Sequence, residues 1–291
     1  MQNKVGIIVD NLGLSIRDGI LKAKELGVEG IQIYAVSGEM KPDNLSKRDR
    51  KELLDLIKSQ GLEVSALCGD LGGHGFQDPK ENLWKIEESK KIIELAKDLE
   101  TNIVTTHIGI VPDDKNCKIF NDMYEACTKL GDAAKEMEAY FAIETGPEPC
   151  ERLKEFLDIL NGKRVGVNFD PANIVMVTGD DPVKGVYTLK EYIVHTHVKD
   201  GIRYKAIDPK DLYGYLGYEP MSHDKISKVV TRGEFFKEVP IGTGKVDFDN
   251  YFKALEDIGY KGFLTIEREV KGDFMEDLKK EVNFVKGYIS N

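Results

Sequence analysis

Four residues with metal-binding side chains close short apolar runs in the second half of the chain. Glu144 ends YFAIE, Asp170 follows VGVNF, His197 lies in IVHTHVK and Glu267 follows FLTI. Side chains alternate along an extended strand, so Glu144 shares a face with Ala142, Asp170 with Asn168, His197 with His195, and Glu267 with Thr265. If the four runs are neighbouring strands of one parallel sheet, their ends converge. Three carboxylates brought together without a counter-charge raise one another's pKa, and a divalent cation removes that conflict. Oxygen ligands plus an imidazole, with no thiolate, suit Mn2+ first and Mg2+, Co2+ or Zn2+ as alternatives. Taken singly, each residue has a plainer use: a strand-end acid as a cap or salt-bridge partner, a histidine as a hydrogen-bonded core residue. Four at successive strand ends favour the metal.

The elements that must position them follow one rhythm. Strand-like runs begin at Val5, Gly30, Glu63, Asn102, Tyr140, Val165, Tyr192 and Gly262, and amphipathic helical segments separate them. In SIRDGILKAKELG, Ile16, Ile20, Ala23 and Leu26 fall on one face and Gly27 closes the helix. Comparable segments are SKRDRKELLDLIKSQG, ENLWKIEESKKIIELAKDLE, NDMYEACTKLGDAAKEME, CERLKEFLDILNG and DNYFKALEDIGYKG. Eight β-then-α units predict a single α/β domain over 1–291, a (β/α)8 TIM barrel, with a doubly wound sheet as runner-up. The exception is the long connection 201–246, which carries Tyr213, Tyr215 and Tyr218. It reads either as a lid or subunit contact near the barrel mouth, or as a surface excursion with a short helix.

In such a barrel the chemistry sits where strands end. His107, at the end of the fourth strand, points to the same mouth as a substrate contact or a hydrogen-bonded lining residue. The loop GDLGGHGF, with Gly72, Gly73, His74 and Gly75, lacks the strand-turn-helix context of a phosphate cradle and reads as a lid at most. Lys199 and Asp200 read as an ion pair at the rim in preference to substrate contacts, and the sole tryptophan, Trp84, as core or interface packing.

Composition narrows the function. With 51 acids against 41 bases, the net charge of -10 repels a polyanion, so nucleic acid is a poor partner. No run approaches a membrane span and the N-terminus has no signal-peptide pattern, so the expectation is a soluble, cytoplasmic protein. The cysteines, Cys68, Cys117, Cys127 and Cys150, form no C-x-x-C pair and read as reduced thiols.

The segments FAIETGPEP, VGVNFDPANIV, IVHTHVKDG and GFLTIERE, with VPIGTGKVDFDNYFKALEDIGYKG before the last, resemble the sugar phosphate isomerase/epimerase family with its xylose isomerase-like barrel. The most specific match is the turn G-x-G-x-V-D, here Gly242, Gly244, Val246 and Asp247, ahead of the final strand and its Glu. The resemblance implies that Glu144, Asp170, His197 and Glu267 bind a divalent metal, with His197 preferred over His195 because it precedes the x-K-D element. His195 then lies deeper. Similarity to tagatose and psicose 3-epimerases implies that Glu144 and Glu267 are the acid/base pair while also touching the metal. Arg203 stands where those enzymes place a substrate-binding arginine. Asn173 stands where they have histidine and Cys150 where they have glutamate; Glu148 would take over the missing contact or simply begin the next helix.

The leading expectation is therefore a metal-dependent isomerase or epimerase of a small carbohydrate, a ketose, aldose or polyol. A lyase acting on a keto-inositol or 3-oxo-glycoside shares the first proton transfer. A deoxyribonuclease like endonuclease IV shares the barrel, but its metal cluster needs more histidines than the five in this chain comfortably supply. A barrel that binds sugar without turnover is the non-enzymatic alternative. A homo-oligomer is compatible with the family.

Overall fold

Uninterrupted apolar runs suit strands covered on both faces, and all eight predicted runs become such strands. The computed structural model describes residues 2–160, 162–218, 234–268 and 275–289. The strands are β1 Lys4–Ile8, β2 Gly30–Tyr34, β3 Glu63–Cys68, β4 Ile103–Thr106, β5 Tyr140–Glu144, β6 Val165–Phe169 and β7 Ile193–Val198, then β8 Asp200–Arg203, β9 Phe236–Val239 and β10 Phe263–Ile266. Strands β1 to β7 pair in parallel in chain order, and β10 lies between β7 and β1, closing an eight-stranded barrel. The doubly wound alternative is excluded, because an open sheet has two edges and this one has none. Strands β8 and β9 belong to the long connection and form an antiparallel ribbon of their own. Of that connection, 219–233 lies outside the described residues. A short helix, Pro209–Tyr213, falls within the described part.

Helices Ile16–Leu26, Lys47–Ser59, Pro79–Asp98, Lys118–Glu136, Cys150–Ile159 and Phe248–Asp257 occupy the predicted amphipathic segments. Their starts are chemically specified: Ser15 accepts the Asp18 N–H, and Ser46 with Asp49 forms a reciprocal capping box. Two further helices, Pro182–Thr188 and Met275–Ile289, complete the outer layer. Among the described residues no helix is long and apolar enough to cross a membrane. All four cysteines are free thiols.

Barrel interiors are usually filled by Val, Ile and Leu. This one carries a buried polar column instead, built from Gln32, Ser65, Asn168, His195 and Thr265. His195 is held at both ring nitrogens, Nδ1 by Asn168 Oδ1 at 2.8 Å and Nε2 by Thr265 Oγ1 at 3.1 Å, and Thr265 reaches Ser65 Oγ at 3.4 Å. The pairing of β6 with β7 slips between Val167 and Asn168, which sets Asn168 directly opposite His195.

The glycine-rich loop after β3 is anchored at its base. Lys85, only 1% exposed, donates to the carbonyls of Gly72 and Gly75 at 2.8 Å each, and the Phe76 N–H donates to Ile108 O at 2.9 Å. Gly75 has φ +58°, and a Cβ there would lie 2.0 Å from the Ile108 carbonyl carbon. Gly75→Ala therefore combines a left-handed backbone with a backbone clash, and should destabilise the protein by about 3 kcal/mol or more in chemical denaturation. An unchanged midpoint would contradict this packing. Trp84 is not a core residue as one expectation had it: it is 48% exposed, and the buried member of that pair is Lys85.

Candidate metal centre

Strands β5, β6, β7 and β10 are consecutive around the ring, so their carboxyl ends share one quadrant of the barrel mouth. There the structure brings Glu144, Asp170, His197 and Glu267 together, with one ligand atom of each within 4.8 Å of the others and all four side chains buried. His197 Nδ1 is 3.1 Å from Glu267 Oε2, 3.6 Å from Asp170 Oδ2 and 3.8 Å from Glu144 Oε2.

The hydrogen bonds leave a cation-shaped demand. Asp170 Oδ1 accepts the Asn173 N–H at 2.8 Å, capping the turn Pro171–Asn173, while Asp170 Oδ2 and His197 Nδ1 are buried without a hydrogen-bond partner. An unmatched buried polar atom costs roughly 1–3 kcal/mol, and native structures rarely keep two side by side. A divalent ion would satisfy both. His197 Nε2 lies 3.0 Å from Gln32 Oε1 and 3.3 Å from Asn168 Nδ2, contacts that hold the ring so that Nδ1 faces the three carboxylates. The donor set thus fits a divalent metal on this chain's own geometry.

The two glutamates sit in opposite environments. Glu144 accepts from Asn173 Nδ2 through Oε1 and from Asn168 Nδ2 through Oε2, both at 3.0 Å. Burial pushes its pKa up to about 7, against the opposing pull of His107 and His197 and with help from Glu267 and Asp170. Burial also acts on Glu267, but there the Lys199 ammonium, 3.0 Å from Oε2, and His197 prevail and hold the carboxyl well below its usual range. For His197, burial opposes the charge and the carboxylates outweigh it, so its pKa is raised. Burial, reinforced by the charge of His197 and opposed by Glu267, pulls His195 well below its usual value, which with its two hydrogen bonds makes it a neutral residue supporting the site from beneath.

Lys199 and Asp200 are not an ion pair. Adjacent strand residues face opposite sides, so Lys199 turns to Glu267 while Asp200 accepts the backbone N–H groups of Gly201, Gly242, Gly244 and Val246. That explains the G-x-G-x-V turn: a Cβ on Gly244 would lie 2.2 Å from Asp200 Oδ1. Asp200 anchors the turn, and Lys199 is the charged group at the centre that the sequence reading assigned elsewhere.

The expected substrate contacts divide. His107 Nε2 is 3.7 Å from Glu144 Oε1, and its ring lies 5.3 Å from that of Tyr213 in the long connection. Asn173 holds Glu144 directly. Glu148 is buried and accepts the Val111 N–H at 2.9 Å. Arg203 donates to the carbonyls of Thr178 at 2.5 Å and Lys205 at 3.5 Å, rather than to the cluster. Asn168 and Gln32, which hold Glu144 and His197, were not singled out from sequence; for Asn168 the signal was its place two residues before Asp170 on the same face.

Burial pushes the Glu148 carboxyl up to about 7, with the Val111 N–H, Arg152 and His107 opposing. A raised carboxyl pKa contributes stability that is complete below the unfolded value, near 4.5, and lost as pH rises through about 7. Glu148→Gln keeps an acceptor for Val111 and removes this titration. Its advantage over the native protein should grow from pH 5 to pH 8, to on the order of 3 kcal/mol, in denaturation midpoints. Parallel pH profiles would contradict the burial.

An inosose dehydratase of Clostridium perfringens is 30% identical over 151 residues, covering 50% of this chain and 46% of that protein. The chain thus spans about half the length of the curated relatives it matches. A xylose isomerase domain protein from Planctomyces limnophilus superposes with a TM-score of 0.77 at 23% identity, covering 99% of this chain and 96% of that one. A D-tagatose 3-epimerase-like protein superposes at 0.73 and 20% identity, covering 99% and 97%. These two share the fold. The family model described as xylose isomerase-like TIM barrel matches residues 20–288, and the chain belongs to that family.

Proposed function

We propose that this protein is a divalent-metal-dependent isomerase or epimerase of a small carbohydrate, moving a proton on the carbon beside a carbonyl with Glu144 and Glu267 as its acid/base pair. The observation that carries this reading is the convergence of two buried glutamates, Glu144 and Glu267, with Asp170 and His197 on one cluster at the carboxyl ends of neighbouring strands. Two carboxylates on one site can take a proton from one face of a substrate and return one to the other. A bound divalent ion, Mn2+ by its donor set, would supply a Lewis acid that polarises the carbonyl and stabilises the charge left when the neighbouring proton departs. Glu267, kept ionised by Lys199, takes that proton. Glu144 holds one to return, its carboxyl plane fixed by Asn168 and Asn173. His107, Asn173, Arg203 and Glu148 are the proposed substrate contacts, of which His107 and Asn173 stand beside Glu144.

Elimination from a keto-inositol or 3-oxo-glycoside is the second reading, favoured by the likeness to an inosose dehydratase. Glu267 would again take the proton, and Glu144 would give its own to the departing oxygen, released as water from the keto-inositol or as the aglycone alcohol from the 3-oxo-glycoside. Incubation of the metal-loaded protein in heavy water with ketoses, keto-inositols and 3-oxo-glycosides separates the two. Deuterium in an epimeric or isomeric product supports the first, and a dehydrated product or a released aglycone the second. Neither exchange nor an elimination product from any member of the panel would overturn both.

A further inference from the structure

We propose that the groove between the β3 loop and Trp84 is an outer subsite that takes the second ring of a glycoside whose first ring lies at the metal centre. This rests on the carbohydrate reading above and narrows its substrate class. The groove, about 500 Å³, is lined by Val36, Lys41, Asp70, Leu71, Trp84 and Glu88 together with Gly72. Its neighbour, a cavity of about 160 Å³, is lined by Asp70, Gly72, His107 and Tyr213 among others. Asp70 and Gly72 line both, so the two spaces adjoin. His107 in turn stands 3.7 Å from the Glu144 carboxylate. The proposed substrate would extend from the catalytic pair past His107 and Tyr213, which line the smaller cavity, to the groove beside the indole.

The lining suits a sugar ring better than an apolar partner. Trp84 is 48% exposed, and the buried Lys85 ammonium stands 5.7 Å from its ring centroid, holding the indole from the protein side. A large flat aromatic surface can pack the C–H face of a pyranose, while hydroxyls at the ring edge need acceptors and donors. Asp70 and Glu88 supply carboxylates and Lys41 an ammonium, 3.5 Å from Glu88 Oε2. The loop floor is fixed by Lys85 on the Gly72 and Gly75 carbonyls, so the groove is formed in advance of binding. Binding energy gathered there would be used at the reacting carbon.

Trp84 is the only tryptophan, so its emission reports this subsite alone. The full-length, metal-loaded protein is titrated with cellobiose, lactose, maltose and sucrose, and with glucose, galactose and fructose, by fluorescence and calorimetry. At least one disaccharide should shift the emission and bind about tenfold more tightly than its component monosaccharides, and Trp84→Ala should abolish that advantage in calorimetry. Equal affinities for disaccharides and monosaccharides would overturn the proposal. So would a dimer in sedimentation that Trp84→Ala or Leu83→Asp dissociates, since the face would then be a subunit contact. Neither readout requires turnover. Disaccharide binding without proton exchange on any substrate would leave the subsite standing and remove the enzymatic reading, and the reverse pattern would do the opposite.

Discussion

Glu267→Gln is expected to lower kcat by about 10³-fold or more while leaving a folded barrel. The substitution keeps the side-chain volume but removes the base, one anionic metal ligand and the principal partner of Lys199, 3.0 Å away. Stranding a buried ammonium is ordinarily expensive, yet Lys199 also lies 3.9 Å from Glu238 Oε2 and 4.0 Å from Asp170 Oδ2, which retain part of its compensation. Circular dichroism should therefore be native, with a lowered melting temperature. Turnover of the best substrate identified in heavy water decides the case. Activity within tenfold of the unsubstituted protein would remove Glu267 from the chemistry, and a barrel that merely binds sugar would lose affinity for the metal and little else.

Removing the metal should destabilise the protein in proportion to its binding. A ligand present at a hundredfold excess over its Kd, and bound by the folded state alone, contributes about 2.7 kcal/mol. For a domain of this size that corresponds to a fall of roughly 5–10 °C in Tm on chelation, reversed by added Mn2+. His197→Ala, which deletes the Nδ1 donor facing all three carboxylates, should melt at one temperature with or without chelator. A chelator-insensitive native protein, or a His197→Ala variant that still responds, would contradict the assignment of these ligands.

The barrel was legible because its strands are buried on both faces, which imposes continuous apolar runs whatever the loops do. The four converging residues were legible for the same reason: alternation places them, and consecutive strand order gathers them. What escaped depends on pairing between distant segments. Ribbon β8–β9 joins Asp200–Arg203 to Phe236–Val239 across most of the long connection, and nothing local announces it. Pro182–Thr188 is a helix of 7 residues with Gly185 inside it, too short for periodicity to show. Asn168 meets His195 only through the register slip after Val167, which is set by the packing of two strands. The Lys199–Asp200 pair failed on a local rule that was available, since neighbouring strand residues cannot face one another. Of the two uses expected for Trp84 the core is ruled out, because the helix instead buries Lys85 to hold two loop carbonyls.

Elemental analysis of the purified protein, before and after reconstitution with Mn2+, tests the central claim most directly. The account predicts one divalent ion per chain in the native protein and a large loss of that stoichiometry in His197→Ala. A native protein that binds no divalent ion after reconstitution would contradict the reading of Glu144, Asp170, His197 and Glu267 as its ligands.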